Sequence, residues 1–164
     1  MLDYSLLDHL VDKFHIDFEE MFEDYIDFND VDPDLVLDIV FPGFFRIISA
    51  RMHLCSLTDG YFCEKAEKSH SLDEAVHYYR EAIYLIQSDF ERSDFEFGYY
   101  LNNKMTDVVQ YLKESYNYCL DRVSVSINRR LNASAEENES KELLVESIKK
   151  MRSKIESRFT EEPR

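Results

Sequence analysis

The sequence predicts an all-α fold, a compact multi-helix bundle of about six to seven helices ending in a C-terminal amphipathic helix. Three observations predict it. Apolar residues make up 45% of the 164, which supports a real core and argues against a disordered chain. Three Gly and three Pro are too few for the turns of an all-β domain. Apolar residues recur at spacings of three and four through most of the chain. The expected organisation is one helical domain over 1–131, a polar linker over 132–140 and the amphipathic helix over 141–160.

A first helix is expected over 3–14, with a stripe of Leu6, Leu7, Leu10, Val11 and Phe14. A second, over 17–28, sets Phe18, Met21, Phe22, Tyr25 and Ile26 on one side and Asp17, Glu19, Glu20, Glu23, Asp24 and Asp27 on the other. "NDVDPD" at 29–34 is a turn, after which Pro33 can open a helix through "DLVLDIVF". Pro42-Gly43 is expected to interrupt that run, with a further helix over 44–57 and a turn at Asp59-Gly60. Ser71-Leu-Asp-Glu74 is a capping box, so a helix starts near Leu72 with a wide apolar arc. "SDFERSDFEFGYYLNN" reads as a short helix or loop. A long helix over 105–131 follows, with the seam Val108, Val109, Leu112, Tyr116, Cys119, Val123 and Ile127. Tyr111, Tyr118 and Val125 form a second stripe, expected to meet another helix of the bundle or a second copy of the chain. "NASAEENES" is the linker. Leu144, Ile148, Met151 and Ile155 then mark a helix too marginal to stand alone, which must dock, self-pair or bind a partner.

Charge is unevenly distributed. The net charge is −15, and residues 1–40 alone hold 13 acids against one base, Lys13. Residues 41–131 carry only −2 and residues 132–164 only −1. An N-terminal field of this sign repels nucleic acid and anionic membrane and attracts basic protein surfaces. Like charges three or four residues apart on 17–28 oppose that helix by about 1–2 kcal/mol together. Interspersed Lys would avoid that cost, which favours a functional acidic face over a merely solvating one.

Other classes find less support. Cys55, Cys63 and Cys119 are odd in number and lack framework spacing, which suits a reducing cytoplasm. The acidic opening "MLDYSLLDHL" does not read as an export signal, and no apolar run approaches the ~20 residues of a membrane span. His53, Cys55, Cys63 and His70 lack tight zinc spacing, and on a helix His53 and Cys55 point to opposite sides. Counted from Asp30, the acids Asp30, Asp32 and Asp34 miss the Gly and Glu of an EF-hand, which fall at Leu35 and Phe41. No metal and no cofactor are therefore expected. Arg51, on the side of Phe44, Ile48 and Cys55, is expected to pair with an acid.

Arg46 and His53 stand seven residues apart in "FPGFFRIISARMH" and share one helix face. The spacing resembles the Arg-x(4–6)-His signature of the HEPN superfamily, helical domains that include ribonucleases, although Ile47 replaces the polar residue usual after the Arg. The resemblance implies an RNA-cleaving pair, His53 as acid or base and Arg46 on phosphate. "SLDEAVHYYREAIYLIQ" resembles the second helix of a tetratricopeptide repeat through Ala75, Tyr79 and Ala82, but nothing recurs at that period.

The leading expectation is a cytoplasmic, non-enzymatic acidic binding protein. It would occlude a basic surface of another protein, foremost a nucleic-acid-processing enzyme that it inhibits as an anti-defence or immunity protein, with no direct nucleic-acid or membrane partner. Asp17, Glu20, Glu23, Asp24, Asp27, Asp30, Asp32 and Asp34 carry the contacts in this reading. The alternatives are a HEPN-like ribonuclease using Arg46 and His53, and a helical adaptor binding through apolar seams. A homodimer through Tyr111, Tyr118 and Val125, or through the C-terminal helix, is a further expectation.

Overall fold

The computed structural model describes the backbone of residues 41–102 and 104–160, and most of their side chains from Met52 onward. The expected helices over 3–14 and 17–28, and most of the one after Pro33, lie outside the described residues. Among the described residues there are five helices and no strand: α1 (Phe41–Glu67), α2 (Leu72–Arg92), α3 (Asp94–Asn102), α4 (Thr106–Arg130) and α5 (Ala135–Thr160). The all-α class holds. The chain divides into two compact units, Met1–Leu54 and Cys55–Arg164. Of the first, only the opening of α1 is described. The second holds the rest of α1 and the other four helices.

α1 corrects two sequence expectations. Pro42 and Gly43, expected ahead of the helix, lie inside α1 as described, while the run before Phe41 lies outside the described residues. Asp59-Gly60 is not a turn but lies within the helix. Tertiary packing explains the second departure. Asp59 is 1% exposed, and a Cβ on Gly60 would stand 2.7 Å from the Arg122 guanidinium of α4. Here glycine makes room for a cation and does not bend the chain.

α2 starts as its capping box predicts. Ser71 has extended dihedrals, and its hydroxyl accepts the Glu74 N–H at 3.2 Å. The ambiguous stretch resolves into the end of α2 and the nine-residue α3. α3 ends through a left-handed Lys104 (φ 55°), after which Met105 N–H reaches Tyr100 C=O at 2.9 Å. This is a helix-stop conformation more often given to glycine. The linker expected over 132–140 is a linker only as far as Ser134. Ser134 Oγ accepts the Glu137 N–H at 3.1 Å, and Glu137 reaches back to Ala133 N–H at 2.7 Å. Arg130 of α4 also pairs with Glu137 at 3.3 Å.

α4 is the central helix of the second unit. α2 and α5 run antiparallel to it: Tyr79 bonds Ser126 while Tyr116 bonds Asp89, and Lys113 pairs with Glu156 while Asp121 pairs with Arg152. The end of α1 lies along it through Arg122–Ser56 and Arg129–Glu67. The predicted seam is buried at Val108, Leu112, Tyr116, Cys119, Val123 and Ile127, with Val109 half-buried. On α5 the predicted Leu144, Ile148, Met151 and Ile155 are buried, joined by Phe159. At ~1.5–3 kcal/mol each, these side chains contribute on the order of 10 kcal/mol before ordering costs, enough to hold a helix that would be marginal alone. α3 closes one end of the core. Phe97 packs tilted against Phe90 (5.2 Å) and Phe159 (4.8 Å) and edge-on against Tyr116 (6.2 Å), a cluster that joins α2, α3, α4 and α5.

Tyr79 ties α2 to α4 at the other end. Its hydroxyl donates to the Ser126 carbonyl at 2.9 Å and shares a second 2.9 Å bond with Ser126 Oγ. Burial pushes this phenol up to about 12, and the Cys63 thiol up to about 11. The unfolded groups ionise lower, near 10 and 8.5. In those intervals the folded state keeps protons that the unfolded state has lost, so stability is full below the lower values and falls as pH rises through the upper ones. Tyr79→Phe is expected to lose about 1–2 kcal/mol at neutral pH. It should also remove the part of the alkaline decline between pH 10 and 12 and leave the Cys63 part in place. Chemical denaturation of both proteins across that pH range checks this. An unaltered alkaline profile in the variant contradicts it.

Candidate functional site

The interior of the second unit contains more ionisable chemistry than a small core requires. Cys55 and Asp59 lie four residues apart and so share one face of α1. Cys119 faces them from α4. One ligand atom from each of the three lies within 4.8 Å of the others, and all three residues are buried. The Cys55 thiol donates a long bond of 3.9 Å to Asp59 Oδ2, while Asp59 Oδ1 is buried without a hydrogen-bond partner. Two further carboxylates are enclosed. Asp89 of α2 accepts the Tyr116 hydroxyl at 2.6 Å, and Glu96 of α3 accepts the Tyr100 hydroxyl at 2.9 Å.

The electrostatics follow from this enclosure. Burial pushes the Asp59 carboxyl well above the usual carboxylate range, the neighbouring Cys119 adds to the rise, and Arg122 opposes it. The hydrogen bond between the two thiols pushes Cys55 up and draws Cys119 down. Arg122 is fixed by donating to the Ser56 carbonyl at 3.2 Å and to Ser56 Oγ at 2.5 Å. The cluster therefore combines two soft sulfur donors, a hard oxygen donor and an adjacent cation, closed off from solvent. That is suited to holding a small ion.

The sequence-predicted sites fall elsewhere. Asp17, Glu20, Glu23, Asp24, Asp27, Asp30, Asp32 and Asp34 lie outside the described residues. Arg46 and His53 both belong to α1, and His53 is exposed. The side chains of Arg46 and Arg51 lie outside the described ones. Of the second α4 stripe, Tyr118 is 58% and Val125 48% exposed, while Tyr111 is half-buried. Cys63 and His70, weighed as partners of Cys55 in a metal site, do not join the cluster. Cys119 does. No local spacing connects positions 55 and 119, so the one legible signal was the Cys-x3-Asp pair on a helical face. Among the described residues no helix is long and apolar enough to cross a membrane. In comparisons with protein-family models, curated proteins and solved structures, nothing matches this chain.

Gly60 gives the geometry a direct test. Gly60→Ala places a methyl against a guanidinium that Ser56 anchors. The substitution gains about 0.5–1 kcal/mol in helix propensity. Displacing Arg122 forfeits charged hydrogen bonds worth about 1.5–3 kcal/mol. Net destabilisation of about 1 kcal/mol is expected in urea denaturation. A more stable variant means that Arg122 swings aside freely and does not anchor the cluster.

Proposed function

We propose that this chain is a non-enzymatic acidic binding protein whose N-terminal quarter occludes a basic surface of a partner. The best-suited partner is a nucleic-acid-processing enzyme that it inhibits, in the manner of an anti-defence or immunity protein. The carrying observation is the concentration of charge: residues 1–40 hold 13 carboxylates against one Lys, in a chain whose remaining residues are close to neutral. At helical spacing, carboxylates three or four residues apart stand ~5–6 Å from each other, near the spacing of backbone phosphates. Asp17, Glu20, Glu23, Asp24 and Asp27 form the contact face, extended by Asp30, Asp32 and Asp34.

The charge economy of the second unit supports this reading. There, bases are matched to acids from the same unit: Lys113 with Glu156 at 2.8 Å, Arg129 with Glu67 at 3.6 Å, Arg152 with Asp121 at 2.5 Å and Arg158 with Asp94 at 2.6 Å. Exposed pairs of this kind contribute little stability each. They do leave the unit with a mixed surface, against which the single-sign N-terminal quarter stands out. Long-range attraction speeds encounter with a positive groove, and shape complementarity selects the partner.

Tagged full-length chain, used to capture partners from its native cell at low salt, tests the proposal. A nucleic-acid-binding protein should be retained and then released as ionic strength rises through the physiological range. Joint reversal of Glu20, Glu23, Asp24 and Asp27 to Lys should weaken that complex by roughly 100-fold or more while leaving the helical circular dichroism intact. Equal capture by the reversed protein, or capture indifferent to salt, contradicts the proposal.

A further inference from the structure

We propose that Cys55, Asp59 and Cys119 form a binding site for a soft divalent metal ion, with zinc the best match to the donors. Two thiolates and a carboxylate are zinc ligands by type, and the sulfur pair disfavours magnesium and calcium. The convergence is already close. Donors around a zinc ion at Zn–S ≈ 2.3 Å and Zn–O ≈ 2.0–2.2 Å stand roughly 3.5–3.8 Å apart. The three donor atoms lie within 4.8 Å of one another, so a contraction of about 1 Å closes the site. The four-residue spacing of Cys55 and Asp59 supplies two donors from one helical face, and Cys119 supplies the third from a second helix, which makes the site a clamp between α1 and α4.

An independent observation points to a ligand. Asp59 is 1% exposed, and its Oδ1 has no hydrogen-bond partner. A buried carboxylate oxygen left in that state is uncommon and calls for an ion or a role. A metal coordinated by Asp59 satisfies it. The charges also close. Two thiolates and a carboxylate around a dipositive ion leave one negative charge, and the Arg122 guanidinium stands beside Gly60, the residue after Asp59. On binding, each donor that carries a proton, thiol or carboxyl, gives it up to solvent as its bond to the metal forms. Three protein donors leave a fourth coordination position open. The site is independent of the N-terminal acids and stands or falls separately from the proposed function.

The test uses the full-length chain, prepared reduced and stripped with a chelator, and titrated with Co²⁺ and then Zn²⁺. One equivalent of cobalt should produce a thiolate-to-cobalt charge-transfer band and tetrahedral visible bands, and zinc should bleach both. Zinc should also raise the Tm by several degrees, since it binds only the assembled site. Cys119→Ser should abolish the charge-transfer signal. Asp59→Asn, nearly isosteric, should weaken cobalt binding at least tenfold and carries the test if Cys119→Ser fails to fold. Cys63→Ser, which removes a neighbouring buried thiol outside the cluster, should leave the spectrum and the affinity unchanged. A folded protein with free thiols and no charge-transfer band overturns the site. So does a band that survives in Cys119→Ser, or a Cys55–Cys119 disulfide in the protein as it is purified.

Discussion

The structure of the second unit depends on burying α4 together with the polar groups it carries. Tyr116, Cys119, Arg122 and Ser126 climb this helix at spacings of three and four. Each meets a group from a neighbouring helix: Asp89 on α2, Cys55 and Asp59 on α1, Ser56 on α1, and Tyr79 on α2. A buried donor or acceptor left without its partner costs about 1–3 kcal/mol. Sliding α1 or α2 by one turn along α4 unpairs two such groups on either helix at once. That cost is comparable to a large part of a domain's net stability of about 5–15 kcal/mol. An apolar seam alone tolerates many registers. The polar ladder selects one, and in doing so it brings Cys55 and Asp59 opposite Cys119.

The second unit fastens itself with aromatic packing, buried polar pairs and cross-helix ion pairs, and its surface charge is nearly balanced. Most of the excess negative charge, −12 of −15, lies in residues 1–40. In the proposed occluding role, the acidic quarter steers encounter while the second unit keeps its own fold.

Much of the architecture was legible because helical periodicity is a local property. The seam of α4, the stripe of α5 and the Ser71–Glu74 cap could each be read from spacing. The misreadings have physical causes. Asp59-Gly60 resembles a turn in isolation, but it lies inside α1, where Gly60 faces the Arg122 guanidinium of another helix. Ser134-Ala-Glu-Glu137 repeats the capping signal of Ser71–Glu74, and its polar composition hid it inside an apparent linker. The thiol–carboxylate cluster was less accessible still. It joins residues from two helices that are distant in sequence, and no local pattern reports which faces will meet. Seeking ligands near Cys55 in the chain led to Cys63 and His70, whereas the fold supplies Cys119.

A double-mutant cycle across the ladder tests the central claim most directly. Asp89→Ala and Tyr116→Phe, measured singly and together by equilibrium denaturation, isolate the coupling between α2 and α4 from the other contacts of each residue. The ladder predicts a favourable coupling of about 1 kcal/mol or more, with the first substitution costing clearly less when the second is already in place. Additive effects, with a coupling below about 0.3 kcal/mol, contradict it and return the choice of register to apolar packing alone.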